Sequence, residues 1–242
     1  MAESAPGRTV DLREKGAPRD GSPQTLDRRL FVQVLAFGDC PDPAVLAQAL
    51  QTSGLEGAVY ADVHDPRGAG LAVVTEDPAA LTTSVRDALA KPLLASLRLK
   101  PEYSMLGRTY ATGYEADLQD WLLRRPRRAI LNAGAPWAIW YPLRRSGAFA
   151  QLPPEEQAAI LREHGRVGHT FGDAGHLQDV RLACFGLDRD DNDFVIGLVG
   201  PDLHALSACV QAMRATRQTS QYIQHMGPFL IGRAVWQSPR PP

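Results

Sequence analysis

The sequence of 242 residues contains only three cysteines, Cys40, Cys184 and Cys209, and they lie far apart. No CxxC pair is present, which argues against a thiolate zinc site and against a disulfide framework. Long apolar runs are absent too. None approaches the roughly 18 residues of a transmembrane helix, so the sequence predicts no membrane span.

A strong net charge is also lacking, since the formal charge at pH 7 is -1. The sequence therefore gives no long-range electrostatic reason to expect a nucleic acid or an anionic membrane as partner. Arginine far outnumbers lysine among the basic residues. Guanidinium groups suit carboxylates and phosphates.

The first 25 residues are polar and lack the apolar segment of a signal peptide. We predict that residues 1–25 form a disordered tail. Together with the absence of a membrane span, this composition leads us to expect a cytoplasmic protein.

The rest of the chain shows one order of elements twice: strand, helix, strand, strand, helix, strand. This order predicts an α+β fold with two ferredoxin-like repeats, over residues 26–115 and 137–242, that form a dimeric-type α+β barrel. A basic connector over residues 116–136 joins them. The predicted strands are Leu30–Phe37, Gly57–Val63, Leu71–Thr75, Ser96–Leu99, Glu102–Tyr110, Trp137–Pro142, Asp179–Phe185, Phe194–Val199 and Phe229–Trp236, and the predicted helices are Pro43–Thr52, Asp77–Ala90, Pro154–His164 and Asp202–Thr216.

One histidine, His164, lies at the end of the predicted helix PEEQAAILREH. It shares a helix face with Ile160 and Leu161, and the following Gly165 is typical of a helix end. Two interpretations remain open from the residues alone. A cationic histidine suits the negative end of a helix dipole, whereas an inward-facing imidazole needs a partner, which a metal ion can provide. His169 and His176 fall in a glycine-rich stretch that we interpret as a loop.

Two further features allow both a structural and a functional interpretation. Tyr141, between Trp140 and Pro142, fits a core tyrosine with a hydrogen-bonded hydroxyl as well as a reactive one. The basic cluster within Arg124–Arg128 fits a solvated connector as well as an anion clamp.

Six segments together resemble the chlorite dismutase family: WYPLRR, LPPEEQ, ILREHG, FGLDRDDNDFVIG, MRATRQT and GPFLIGRAVW, spread over Trp137–Trp236. Within that family, the spacing from the tyrosine to the histidine is most similar to the coprohaem decarboxylases of the actinobacterial type. The resemblance implies a homopentamer of α+β barrels, each with one haem b or coprohaem in its C-terminal repeat.

The resemblance also implies roles for single residues. His164 falls on the iron ligand, and Tyr141 on the tyrosine that becomes a radical and attacks two propionates after peroxide oxidises the iron. That reaction converts coprohaem to haem b with loss of carbon dioxide. Arginines suit the propionates because their planar groups pair with carboxylates. The residues expected to contact the porphyrin are Arg127, Tyr141, Arg145, Ile160 and Arg214.

The residue on the other side of the iron stays open between Asp179, Gln178 and the Arg124–Arg128 cluster. Chlorite dismutases carry an arginine near the position of Asp179, and the decarboxylases carry a histidine in the segment that holds the cluster. An acidic residue would repel an anionic oxidant, so we expect weak chlorite activity at most. The alternatives are another haem b-dependent oxidoreductase and a non-catalytic haem-binding or sensing protein.

Overall fold

The computed structural model describes residues 10–239. A hairpin of β1 (Glu14–Arg19) and β2 (Ser22–Leu26) comes first. The N-terminal half then contains β3 (Phe31–Gly38), α1 (Pro43–Thr52), β4 (Glu56–Asp62), β5 (Ala69–Thr75), a 3-10 turn (Pro78–Leu81), α2 (Ser84–Leu89), β6 (Arg98–Leu99) and β7 (Met105–Arg108). The helix α1 starts as predicted, because the carboxylate of Asp42 accepts a hydrogen bond from the backbone N–H of Ala44.

A π-helical turn (Asp120–Arg124) continues into α3 (Arg125–Ile130) and leads to the C-terminal half. That half contains β8 (Trp137–Arg145), α4 (Gly147–Ala150), α5 (Pro154–Asp173), β9 (Gln178–Ala183), β10 (Phe194–Gly200), α6 (Leu203–Arg214), α7 (Arg217–Tyr222), β11 (Ile223–Met226) and β12 (Leu230–Gln237).

Eight antiparallel strands form a closed ring in the order β10, β9, β7, β3, β5, β4, β12, β8, because β8 also pairs with β10. In each half the ring strands lie in the same order: the fourth beside the first, then the third, then the second. The predicted α+β barrel is therefore confirmed. The junction between β7 and β9 is narrow, since its backbone pairing consists of Arg108 with Ala183.

Side chains alternate between the inside and the outside of this ring. Val32, Val34 and Trp140 belong to the interior core, whereas α1 and α2 cover the outer face of the N-terminal half. A third apolar cluster lies between α6 and the outer face of the C-terminal half.

The predicted connector is not a solvated segment. Its apolar side chains Leu122, Leu123, Ala129 and Ile130 are buried and belong to the interior core of the ring. The π-helical turn and α3 therefore pack against the ring interior, while Arg124 and Arg128 are exposed and Arg125 and Arg127 are partly buried.

The prediction of a disordered tail is wrong for the part that the structure describes, residues 10–25, because β1 and β2 pair there. The side chain of Gln24 explains this order. Its amide donates to the carbonyl groups of Ala17, Glu115 and Ala116, and its oxygen accepts from the N–H of Leu118. Residues 1–9 of the predicted tail lie outside the described residues.

Two helix predictions also need correction. The segment predicted as the helix Asp77–Ala90 is divided into a 3-10 turn and α2. The helix α5 does not end at Gly165 but continues to Asp173, so His169 lies on a helix and is exposed. Leu161 is 42% exposed, which leaves Ile160 as the buried member of that pair. No helix within residues 10–239 is long and apolar enough to cross a membrane.

Candidate functional site

The outer face of β8, β9 and β10 carries reactive side chains in two neighbouring rows. The strand register places Tyr141 opposite Ile196 and Ile196 opposite Arg181. The next row contains Leu198 opposite Asp179. Residues directly opposite each other project from the same face of a sheet. We call the region between this face and the helices α5 and α6 the C-terminal site.

His164 lies in the middle of α5, which packs against β9, α6 and α7. Its Nδ1 is 3.0 Å from the hydroxyl oxygen of Thr216. Burial lowers the pKa of His164 to about 4, and the positive charges of Arg181 and Arg145 contribute to the shift. The imidazole is therefore neutral at neutral pH, which is the form that binds a metal ion.

Tyr141 is buried, and its ring stacks on Phe229 with 4.6 Å between centroids and 23° between planes. Burial raises its pKa, and the negative charge of Asp179 contributes, so the phenol keeps its proton. Among residues 10–239 no hydrogen bond to its hydroxyl is formed, unlike the core tyrosine that the sequence also allowed. A protonated phenol with no local acceptor is available to a ligand.

An ion network lies at the start of β9. The carboxylate of Asp179 accepts a hydrogen bond from Nη2 of Arg125, and its other oxygen lies 2.9 Å from Nε of Arg181, although not in hydrogen-bond geometry. Both guanidinium groups lie over the ring of Trp121, at 4.5 and 4.8 Å. Burial opposes the charge of Asp179, but the two arginines outweigh it and the pKa is lowered. Asp179 is thus ionised and paired.

Two of the predicted porphyrin-contacting arginines lie near this site. The guanidinium of Arg145 lies 4.5 Å from the ring centroid of Phe149 and 4.9 Å from that of Phe194. Its Nε is buried and has no hydrogen-bond partner among residues 10–239. Burial lowers the pKa of Arg145 from its high ordinary value. Arg214, the last residue of α6, is exposed and forms no ion pair within the described part of the chain, and its charge acts to lower the pKa of Tyr141.

The third predicted arginine is placed elsewhere. Nε of Arg127 lies 2.7 Å from Glu56, and its Nη1 lies 3.5 Å from Glu76, both in the N-terminal half. Arg128 pairs with Asp120 on the π-helical turn. The structure therefore does not bring Arg127 to the C-terminal site.

Ile160 is completely buried one helical turn before His164, where it can line a ligand. Gln178 is exposed at the start of β9, and Arg124 is exposed as well. Of the cluster named in the sequence, Arg125 is the member that reaches the site.

Sequence reasoning missed two residues, Arg181 and Thr216. Arg181 could have been found from strand alternation, because it lies two residues after Asp179 and therefore on the same face. Thr216 is far from His164 in sequence, and no local signal connects them.

Two surface concavities lie away from these residues. One is lined by Leu55 and Trp236, and the other lies between the hairpin and Arg124. Neither includes His164 or Tyr141. At the C-terminal site, Arg145 and Arg181 each have a buried Nε without a hydrogen-bond partner among residues 10–239, and the pKa values of His164 and Tyr141 are strongly shifted. The chemistry of these residues therefore identifies the site better than surface shape does.

Fold and site together define a ring-shaped α+β protein with a neutral histidine, a buried tyrosine and several arginines on the outer face of its C-terminal half. A family model described as chlorite dismutase matches residues 65–235, which is more than half of the chain. The protein belongs to the chlorite dismutase family, as the sequence motifs predicted.

Solved structures show the same fold. A haem-binding protein from Thermus thermophilus is 16% identical, with a TM-score of 0.68 over 87% of this chain and 92% of that one. Chlorite dismutase from Candidatus Nitrospira defluvii in complex with imidazole is 16% identical, with a TM-score of 0.64 over 88% of this chain and 93% of that one. A mutant of that protein in complex with cyanide has a TM-score of 0.65 at 16% identity, over 88% and 92% of the two chains.

Proposed function

We propose that the C-terminal site binds haem, that His164 is the iron ligand, and that the protein is a haem-dependent oxidoreductase. One observation carries this proposal: His164, on the helix α5 that packs against β9, has a neutral imidazole whose pKa is lowered by burial and by the charges of Arg181 and Arg145. Membership of the chlorite dismutase family supports it, as does the haem-binding description of the Thermus thermophilus structure.

The residues present fit an iron porphyrin. Such a ligand needs one nitrogen donor on the iron axis, apolar contacts for its plane and cations for its propionates. His164 supplies the nitrogen, and Ile160 with the apolar cluster under α6 supplies the contacts. Arg145 has an unused buried donor, and Arg214 is an exposed cation at the end of α6.

The finer proposal is a peroxide-dependent coprohaem decarboxylase or peroxidase. When bound, the iron supplies the power to oxidise by single electrons once peroxide has reacted. Tyr141 would then give up an electron and its proton and regain both as a hydrogen atom from a propionate β-carbon, and a second electron would pass to the oxidised cofactor. Each ionised propionate would thereby lose carbon dioxide, one proton and two electrons and leave a vinyl group. One peroxide would take up these two electrons, that proton and one proton from solvent, and become two waters.

The environment of Tyr141 supports this role. Burial keeps the proton on the phenol until it is transferred, and the stack on Phe229 holds the ring in one orientation. Arg145 and Arg214 would orient the propionates through charge-assisted hydrogen bonds. These side chains bind and position, and the oxidising power belongs to the cofactor.

A second candidate is a haem b-dependent reaction of an oxyanion such as chlorite. Arg181 favours it, because this cation lies in the same row as Tyr141. Asp179 works against it, since its charge offsets that of Arg181. We therefore propose slow oxyanion turnover at most. Assembly as a homopentamer and a cytoplasmic location stay predictions.

A porphyrin titration tests these proposals. Ferric coproporphyrin III and haem b are added in turn, followed by peroxide or chlorite, while the Soret band, the product mass and evolved oxygen are recorded. We expect coprohaem to bind and to lose two carbon dioxide units with peroxide. Oxygen release from chlorite would support the second candidate, and binding without either reaction would identify a non-catalytic haem protein.

Three variants assign the residues. His164→Ala should abolish the Soret shift, whereas His169→Ala, on an exposed position of the same helix, should not change it. Tyr141→Phe should bind coprohaem as the wild type does and release no carbon dioxide. Undiminished binding by His164→Ala would refute the iron-ligand proposal, and full activity of Tyr141→Phe would remove Tyr141 from the reaction.

A further inference from the structure

Thr216 lies directly before α7, at the N-cap position, and is 5% exposed. A threonine at this position usually accepts a hydrogen bond from an N–H of the first helical turn. The side chain of Thr216 makes no such bond. Its oxygen lies instead 3.0 Å from Nδ1 of His164 and 2.7 Å from the carbonyl oxygen of Met213. The hydroxyl of Thr216 thus contacts His164 and Met213 and does not cap α7.

The direction of each hydrogen bond follows from the partners. A carbonyl oxygen only accepts, so the hydroxyl proton of Thr216 points to Met213. The weaker contact with the hydroxyl of Thr219, at 3.4 Å, does not return that proton to the histidine. The lone pair of the Thr216 oxygen therefore faces His164, and Nδ1 can bond to it only if Nδ1 carries a proton.

A neighbouring ion pair fixes this geometry. Glu163, next to His164 on α5, accepts hydrogen bonds from the backbone N–H of Arg217 at 3.0 Å and from its Nε at 2.8 Å. This pair ties the first residue of α7 to α5. Because Thr216 directly precedes Arg217, the same pair also holds Thr216 next to the imidazole of His164.

We propose that Thr216 is a positioning residue that fixes His164 as the Nδ1–H tautomer, so that Nε2 carries the lone pair presented to a ligand. The identity of that ligand as haem iron rests on the proposed function. In metal sites the group that binds the second ring nitrogen orients the ligand and tunes its basicity. A neutral hydroxyl draws the Nδ1 proton less than a carboxylate would, so it leaves the imidazole a weaker donor to iron.

The tautomer can be measured without any porphyrin. Long-range proton–nitrogen correlation spectra of the full ¹⁵N-labelled chain at neutral pH distinguish the two ring nitrogens of His164. We expect Nδ1–H in the wild type and in Thr216→Ser. In Thr216→Val the resonances should shift to the Nε2–H pattern. Valine keeps the shape, and the carbonyl of Met213 keeps its bond from the backbone N–H of residue 216 at 3.1 Å.

Haem binding provides a second measurement. Thr216→Val should lower the affinity for ferric haem by roughly 10–100-fold and shift the iron–histidine stretching band of the reduced form. Thr219→Val is the matched control and should leave both unchanged. An unaltered His164 tautomer in Thr216→Val would overturn the proposal. A shifted tautomer in a chain whose wild type binds no haem would instead uphold the role of Thr216 and refute the proposed function.

Discussion

The half-buried imidazole of His164 should make the stability of the ligand-free protein depend on pH in a defined window. The pKa of His164 is lowered from 6.5 to about 4 in the folded chain. Between these values the unfolded chain binds a proton that the folded chain does not bind. Stability therefore rises with pH in this range: the full value is present above pH 6.5 and is lost as the pH falls towards 4.

The size of this effect follows from the shift. One pKa unit corresponds to about 1.36 kcal/mol, so the whole shift corresponds to about 3 kcal/mol. Most of the pH window from 6.5 to about 4 lies above the range in which carboxylates titrate. Between pH 7 and pH 5 the single-site relation gives a loss of about 2 kcal/mol in the free energy of unfolding.

Urea unfolding of the wild type and of His164→Gln at pH 7, 6 and 5 measures this loss in the free energy of unfolding. Glutamine does not titrate, so the variant should lose about 2 kcal/mol less than the wild type over this range. His169→Gln, exposed on the same helix, is the control and should follow the wild type. Parallel pH dependences for wild type and His164→Gln would refute the lowered pKa of His164.

Three further changes probe other parts of the molecule. Asp179→Asn removes the carboxylate between two arginines, so the haem-loaded variant should bind nitrite about tenfold more tightly, equivalent to about 1.4 kcal/mol, in a Soret titration; weaker binding would contradict this. Gly197→Ala should lower the free energy of unfolding by about 1–3 kcal/mol, as measured by urea denaturation, because a Cβ there would lie 2.5 Å from the ring of Trp140. Gly147→Ala is its control, because among the described residues a Cβ there would meet no atom within 4 Å beyond its chain neighbours and its own helix backbone. Gln24→Ala removes four hydrogen bonds and should speed amide exchange in both hairpin strands, with an opening free energy lower by about 2 kcal/mol; unchanged exchange would show that the hairpin is held by other contacts.

The sequence predicted the ring strands well because each has an apolar face inside a closed core. In β3, Val32 and Val34 point inward, and the pattern of that strand shows it directly. Which strands become neighbours is less accessible, since the pairing of β4 with β12 joins residues far apart in the chain. The repeated element order supplied that information indirectly.

The errors have local causes. Gly165 was expected to end a helix, but its position has open space around it and α5 continues. The polar residues of the hairpin suggested disorder, because the hydrogen bonds that satisfy Gln24 come from a distant segment. Asp179 was expected to repel an anionic oxidant, whereas its pairing with Arg125 and Arg181 can be recognised only once the strand register and the packing of α3 are known.

The narrow junction between β7 and β9 makes the free energy of local opening differ around the ring. Strand β9 has a full ladder with β10 but a single backbone pair with β7, where Gly107 allows Leu182 to approach closely. Local opening needs the least free energy where few backbone hydrogen bonds must break. We therefore expect β9 to detach from β7 before any other pair of neighbouring ring strands separates. Because β9 carries Asp179 and Arg181, each such opening would change the electric field at the C-terminal site without unfolding the rest of the ring.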